Sequence, residues 1–233
     1  MLCKIVYNCE IFDIGVQFFL TNISLSLFPF GCGNKRVREK TILLHTGIVV
    51  TFACKSEESM KKVEDYIITI PDFPEPGIMF RDITGILENA DGLKLAIDEM
   101  VKLLDGVEFD AIAGAESRGF MLGMPLSYLL HKPFIAVRKA GKLPRETVSE
   151  SYDLEYGKAT IEIHTSSVKP GDKVVLLDDL IATGGTMKAA VNLIERCGGE
   201  VVKIIALVEL KGLNGREVLK GYDISSVVAY EGK

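Results

Sequence analysis

From Met60 onward the chain alternates between two hydrophobic rhythms, one of helical period and one of strand period. Val63, Tyr66, Ile67 and Ile70 recur at helical spacing, and Pro71, Pro74, Pro76 and Gly77 then end that stretch, so a helix is expected ahead of a stiffened loop. Leu93, Ala96, Ile97, Met100, Val101 and Leu104 predict a second, amphipathic helix. Phe109 to Ala113 reads as a short apolar strand, followed by a turn over Gly114 to Arg118 and a helix to about Leu130. Phe134 to Val137 predicts the next strand, a polar stretch from Arg138 to Tyr156 interrupts the rhythm, and Ala159 to Ile163 alternates like an edge strand. Lys173 to Leu177, a helix from Thr186 to Cys197 closed by Gly198 and Gly199, and Val201 to Leu207 form a strand–helix–strand unit, with Ile224 to Ala229 as a last strand. Such an order predicts an α/β fold, a mostly parallel sheet flanked by helices, with ligands at the C-terminal ends of its strands. The polar turns at 114–118, 138–156 and 178–186 all follow strands at that rim.

Composition changes the picture chiefly before Met60. Across all 233 residues, 48% hydrophobic and 25% charged residues describe an ordinary globular chain with one principal domain. Yet Cys3, Cys9, Cys32 and Cys54 all precede Met60, as do Phe12, Phe18, Phe19, Phe28, Phe30 and Phe52. Residues 1–59 are therefore set apart as an N-terminal extension and residues 60–233 as the functional domain. The apolar run from 11 to 30 carries Asp13, Gln17 and Asn22, lacks a basic leader beyond Lys4 and has no small-residue cleavage site, so it makes a poor signal peptide and a marginal membrane span. Five cysteines without a Cys-x-x-Cys pair indicate neither a disulfide framework nor a zinc site. A formal net charge of −5 argues against a nucleic-acid binder, and a cytoplasmic protein without membrane attachment is expected.

Residues 174–186 carry the clearest chemistry. Val174 to Leu177 read as a buried parallel strand, Asp178 and Asp179 stand at its end, and Ala182, Thr183, Gly184, Gly185 and Thr186 form a small turn into a helix. Successive backbone amides in such a turn, backed by the positive end of a helix dipole, bind a phosphate dianion. Two adjacent carboxylates repel phosphate but accept hydrogen bonds from vicinal ribose hydroxyls. The segment thus reads as a 5′-phosphoribosyl pocket. It is not a Walker A loop, which needs Lys after the glycine turn, nor a dinucleotide turn, which needs G-x-G-x-x-G.

Three further stretches are candidates for the rest of a site. In the turn Glu116-Ser117-Arg118, small residues and one guanidinium suit a leaving diphosphate, although an arginine in a turn is by itself more often a solvated surface residue, and only the neighbouring 174–186 segment favours the ligand role. Arg138, Lys139, Lys142 and Arg145 concentrate positive charge in an acidic protein, either as a closing lid that excludes water or as a solvated charge run. The proline-rich loop from Pro71 to Thr84 could hold Phe80 against a planar base, with backbone groups of Met79 and Arg81 reading its edge; plain core packing of Phe80 is the alternative.

The 174–186 segment closely resembles the diphosphosphate-sugar motif of type I phosphoribosyltransferases. Taken with Phe73-Pro74-Glu75-Pro76-Gly77, Ser117-Arg118-Gly119-Phe120, Gly141-Lys142-Leu143-Pro144 and Leu154-Glu155-Tyr156-Gly157, it resembles the adenine-specific branch of that family across residues 60–233. The resemblance implies a type I phosphoribosyltransferase fold with a small N-terminal base-binding hood. It implies purine salvage, in which adenine and 5-phosphoribosyl-1-diphosphate (PRPP) give AMP and diphosphate, with Mg²⁺ held mainly by the substrate rather than by protein ligands. It assigns Asp178 and Asp179 to the ribose, Ala182 to Thr186 to the 5′-phosphate, Glu116, Ser117, Arg118, Arg138, Lys139 and Lys142 to diphosphate, and Met79, Phe80, Arg81 and Leu180 to the base. Glu155 is implied as a proton relay with Tyr156 beside it, and Arg118 as a residue reaching across a homodimer interface. Two alternatives stay open: a transferase for xanthine or hypoxanthine, and a non-catalytic PRPP-sensing regulator, for which the six basic and five acidic residues of the extension offer no DNA-binding pattern. Relatives of this kind start near Met60, and Lys55-Ser56-Glu57-Glu58-Ser59 can be read as purine-rich codons ahead of a start, so translation from Met60 is the expectation for this chain.

Overall fold

The computed structural model describes residues 37–43, 49–55, 61–154 and 157–232. The chain divides into two compact units, Met1–Lys61 and Lys62–Lys233. In the first, strands β1 (Val37–Leu43) and β2 (Val49–Lys55) pair antiparallel, a ladder that the reading of the extension did not anticipate.

The second unit opens differently from its helical spacing. Only one 3₁₀ turn forms, over Val63–Tyr66, and the chain then extends as β3 (Ile68–Pro71), paired antiparallel with β4 (Met79–Asp82). The expected helix through Ile70 is therefore wrong, and the reason is local. Ile67, Ile68, Thr69 and Ile70 are all β-branched, which disfavours a helix interior, and the turn at 72–78 folds a partner strand back onto them. After a short turn, α1 (Thr84–Leu87), comes α2 (Ala90–Lys102), whose N-terminus is capped by the Asn89 side chain accepting from the amides of Asp91 and Gly92 at 3.0 and 2.9 Å.

The main sheet contains β5 (Ala111–Ala115), β6 (Phe134–Lys139), β7 (Thr147–Leu154), β8 (Gly157–His164), β9 (Lys173–Ile181), β10 (Glu200–Leu210) and β11 (Ile224–Tyr230). Its order is β11-β10-β9-β5-β6-β8-β7, parallel from β11 to β6, with β8 and β7 added antiparallel at one side. Helices α3 (Arg118–Leu129) and α4 (Gly185–Arg196) make the β5–β6 and β9–β10 crossovers, and the short α5 (Gly215–Val218) lies between β10 and β11. Period-two packing sends Val174, Leu176, Ile204 and Ala206 into one core with Met187, Leu193 and Ile194 of α4. Val175, Leu177, Ile205 and Leu207 point into the other, with Met100 of α2 and Leu122 and Leu126 of α3. Both faces of the central strands are covered, which is why these strands read as continuous apolar runs.

Three expectations shift within this sheet. The strand expected at Phe109–Ala113 lies two residues later, and β8 is interior while β7 forms the edge. The stretch from 138 to 156 is not one long loop: β6 runs to Lys139 and β7 begins at Thr147, leaving an irregular connection over 140–146. Strand β7 escaped notice because an edge strand needs no apolar alternation; Ser149 and Ser151 are exposed, while Val148 and Tyr152 pack against the core.

Candidate active site

The turns after β5, β6 and β9 converge at the C-terminal rim of the parallel strands. Strand β9 carries Asp178 and Asp179 inside its length and continues to Ile181, so the carboxylates are fixed by the ladder to β10, Asp178 opposite Ala206. The Asp178 carboxylate accepts the Asp179 amide at 2.9 Å. Removal from water, followed by the neighbouring Asp179 charge, raises the Asp178 pKa well above the usual carboxylate range. Such a pair favours a ligand that donates hydrogen bonds. Gly119 lies against it: a Cβ there would stand 3.0 Å from the Asp178 Oδ1 and 3.3 Å from the Leu177 carbonyl, so a side chain at the start of α3 would have to displace the Asp178 carboxylate by a few tenths of an ångström.

Behind the pair, Ala182 and Thr183 lead to Gly184, which occupies the left-handed region at φ 82° as the residue preceding α4. A Cβ on Gly184 would meet the Gly215 carbonyl at 2.7 Å, so this glycine is required by both conformation and space. The amides at Gly185 and Thr186 begin α4, where first-turn N–H groups have no partner within the helix. Thr186 donates its hydroxyl to Tyr152 Oη of β7 at 3.0 Å.

The cations meet a carboxylate that pattern alone places among the diphosphate ligands. Glu116, largely buried, receives the Lys142 ammonium, the Arg138 Nε at 3.2 Å and the Lys139 amide at 3.1 Å. Burial pushes its pKa up, but these donors outweigh burial and hold it at about 2. An ionised carboxylate cannot accept from or donate to a diphosphate, so Glu116 acts on the cations instead, gathering them at the mouth of the rim. Arg118 turns to the ribose side, its Nε 2.5 Å from Asp179 Oδ2, and Ser117 is exposed beside it. Arg145, counted with the basic stretch, donates to Ser166 Oγ at 3.1 Å.

At the hood, Phe80 is half-buried and packs edge-on against Phe73, with ring centroids 5.1 Å apart and planes at 76°. The Arg81 side chain is committed elsewhere, donating to Thr69 Oγ1 at 2.5 Å and lying 4.0 Å over the Tyr230 ring. Met79, Ile70, Phe73 and Ile78 keep 37–49% of their surface exposed, Ile70 on the hairpin face of Phe80 and Met79 on the other. Asp82, at the end of β4, is held below the usual carboxylate range by the Thr84 amide and hydroxyl, with a smaller contribution from Arg118 that puts the hood within electrostatic reach of the rim. Leu180 of β9 packs partly buried on the α2–α3 core. Glu155 and Tyr156 lie outside the described residues.

Three contributors went unread in the sequence. Glu162 of β8, 6% exposed, accepts the amides of Lys142 and Leu143 at 3.1 and 3.0 Å and the Thr147 hydroxyl at 3.3 Å, fixing the 140–146 connection from below. Its only signal was a charge between Ile161 and Ile163 in an alternating strand. Tyr152 and Gly215 gave no local signal, because each matters through a partner far along the chain.

With this geometry in place, the comparisons are decisive. Residues 83–228 match the phosphoribosyl transferase domain family. The adenine phosphoribosyltransferase of Agathobacter rectalis is 71% identical over 174 residues, which cover 75% of this chain and 100% of that protein. The chain belongs to the phosphoribosyltransferase family, in its adenine branch. The crystal structure of adenine phosphoribosyltransferase from Thermoanaerobacter pseudethanolicus matches with a TM-score of 0.70 at 49% identity, over 72% of this chain and 98% of that one. The Saccharomyces cerevisiae enzyme, complexed with adenine and an imino-altritol bisphosphate, matches with a TM-score of 0.68 at 34% identity, over 71% and 96% of the two chains. The sheet and its flanking helices are the type I phosphoribosyltransferase fold.

Proposed function

We propose that this phosphoribosyltransferase moves the 5-phosphoribosyl group of PRPP onto adenine, releasing AMP and diphosphate in purine salvage. The observation that carries the reading is the Asp178–Asp179 pair set on a rigid strand directly ahead of the glycine turn. Amides of Ala182 to Thr186 hold the 5′-phosphate while the two carboxylates accept from the ribose hydroxyls. That fixes C1 of the sugar at the rim, with the diphosphate facing Lys142, Arg138, Lys139 and Arg118. Diphosphate departure runs ahead of attack, and the chain's cations take up the charge that builds on the leaving group. Once the diphosphate arrives, these cations exchange part of their hold on Glu116 and Asp179 for phosphate oxygens.

Adenine lies on the hood with Phe80 at its face, and its edge meets backbone groups of Met79 and Arg81. Leu180 borders it from β9. Glu155 is the proton relay at the imidazole edge of the base, and Tyr156 closes beside it. Mg²⁺ would be held mainly by hard oxygens of the diphosphate and ribose rather than by protein ligands. Its chemistry there is to neutralise the departing diphosphate. No helix of the described residues is long and apolar enough to cross a membrane, and a cytoplasmic location fits the substrates.

The enzyme works as a homodimer in this reading. Helix α3 starts at Arg118 and buries Gly119, Leu122, Gly123 and Leu126, yet leaves Met121, Met124, Tyr128 and Leu129 exposed by 50–85%. A second copy on that face would bring the two sites close to one interface.

The test is replacement of each ribose carboxylate. Asp178→Asn and Asp179→Asn set amide donors against hydroxyl donors and should lower kcat/KM for PRPP on the order of 10- to 100-fold with little change in melting temperature. Near-normal turnover in both variants contradicts the assignment.

A further inference from the structure

The phosphate turn is backed by a segment that the reaction itself does not use. Glu209, near the end of β10, is 3% exposed, and it pairs in register with Ile181, the last residue of β9 before the turn. Both of its oxygens are taken by Arg216: Nε to Oε1 at 2.6 Å and a terminal nitrogen to Oε2 at 2.7 Å. Ser226 of β11 adds its hydroxyl to Oε2 at 2.9 Å, and a second guanidinium nitrogen donates to the Ile224 carbonyl at 3.1 Å. One buried carboxylate thus ties β10, α5 and β11 together at the rim. Arg216 follows Gly215, and Gly215 is the backbone against which the phosphate turn rests. A Cβ on Gly215 would stand 2.5 Å from the Ala182 carbonyl, 2.9 Å from Ile181 Cγ2 and 3.2 Å from the Gly184 amide, while one on Gly184 would stand 2.7 Å from the Gly215 carbonyl. The two glycine backbones are in contact with no side chain between them.

We infer that Glu209 and Arg216 are positioning residues for the 5′-phosphate subsite, clamping Gly215 behind Ala182 and Gly184 so that the amides of the turn are held in a phosphate-binding arrangement before substrate arrives. The clamp acts on binding of the phosphoribosyl end and leaves the hood and the diphosphate cations untouched, since none of its contacts reaches them. Bidentate Arg–carboxylate pairing sets orientation as well as attraction, so lysine cannot replace Arg216 in this role. A turn that must be ordered upon binding loses affinity for the phosphate in proportion to that ordering.

The inference rests on the phosphoribosyl reading of the site, and ribose 5-phosphate separates the two. Calorimetric titration of the full chain with ribose 5-phosphate, together with KM and kcat for PRPP and adenine, is measured for the parent, Arg216→Lys and Gly215→Ala. Arg216→Lys keeps a charge opposite buried Glu209, and Gly215→Ala presses on the turn without disturbing the clamp, so the two variants report independently. The expected result is a loss of about tenfold in ribose 5-phosphate affinity and a matching rise in KM for PRPP in both, with kcat and KM for adenine held within about twofold. Unchanged affinity in both variants overturns the positioning role, as does a fall in kcat with the KM for PRPP constant. A parent that does not bind ribose 5-phosphate overturns the phosphoribosyl reading itself.

Discussion

At the scale of single residues, the site is organised by carboxylates whose tasks differ with their neighbours. Asp178, withdrawn from water beside Asp179, has a raised pKa that hydroxyl groups donating to its ionised form would bring back down, whereas Glu116 is kept ionised by three donors and serves to hold cations in place. Glu116 has an ordinary value of 4.5 and a folded value of about 2, so the unfolded chain binds its proton first as pH falls. The stability it contributes is fully present above pH 4.5 and is lost as pH falls toward about 2. Glu116→Gln should therefore destabilise the protein most at neutral pH, with the gap to the parent narrowing between pH 4.5 and 2 in urea titrations. A gap independent of pH over that window contradicts the ionised hub. The aspartate pair and the glycine turn were legible in the sequence because they are contiguous. The task of Glu116 was not, since a carboxylate beside Arg118 reads equally as a ligand group until Arg138 and Lys142 are seen to close on it from more than twenty residues away.

Among the elements, local pattern sufficed where one rhythm acted alone. Helices α2, α3 and α4 and strands β6, β10 and β11 lie close to where apolar spacing puts them, because each buries a helical stripe or an apolar strand face, whereas β9 runs past its expected end at Leu177 to Ile181 and takes the aspartate pair into the ladder. Pattern failed where pairing overrode it. The spacing of Val63, Tyr66, Ile67 and Ile70 fits a helix, but β-branched residues and the returning β4 draw residues 68–71 into a hairpin. Strand β7 was hidden by its polar edge position, and with it the role of Glu162 in holding the connection that follows β6. Removing that carboxylate takes the acceptor from the amides of Lys142 and Leu143, which are only partly buried, at a cost of about 1 kcal/mol for each hydrogen bond. Glu162→Ala should accordingly lower the melting temperature and raise KM for PRPP, because Lys142 loses its fixed backbone. A variant with parental stability and KM would show that the connection is held by other contacts.

For the larger unit, a sheet with both faces covered provides a rigid floor, and the described residues assigned to substrate stand on the rim of that floor or on the β3–β4 hood. The remaining apolar surface of α3 argues for a second copy. Met121→Lys combined with Met124→Lys should shift the protein from dimer to monomer in sedimentation and reduce activity, Arg118 being on the same helix; parental sedimentation would place the interface elsewhere. The choice of base tests the account most directly, since both the hood and the family branch bear on it. The protein, PRPP and Mg²⁺ are incubated separately with adenine, hypoxanthine, guanine and xanthine, and nucleotide and diphosphate are quantified. AMP and diphosphate are expected in equal amounts from adenine, with the other three bases turned over at least about 100-fold less efficiently, as when polar groups of a buried base edge are mismatched. Preferred formation of a hypoxanthine, guanine or xanthine nucleotide, or no nucleotide from any base, would contradict it.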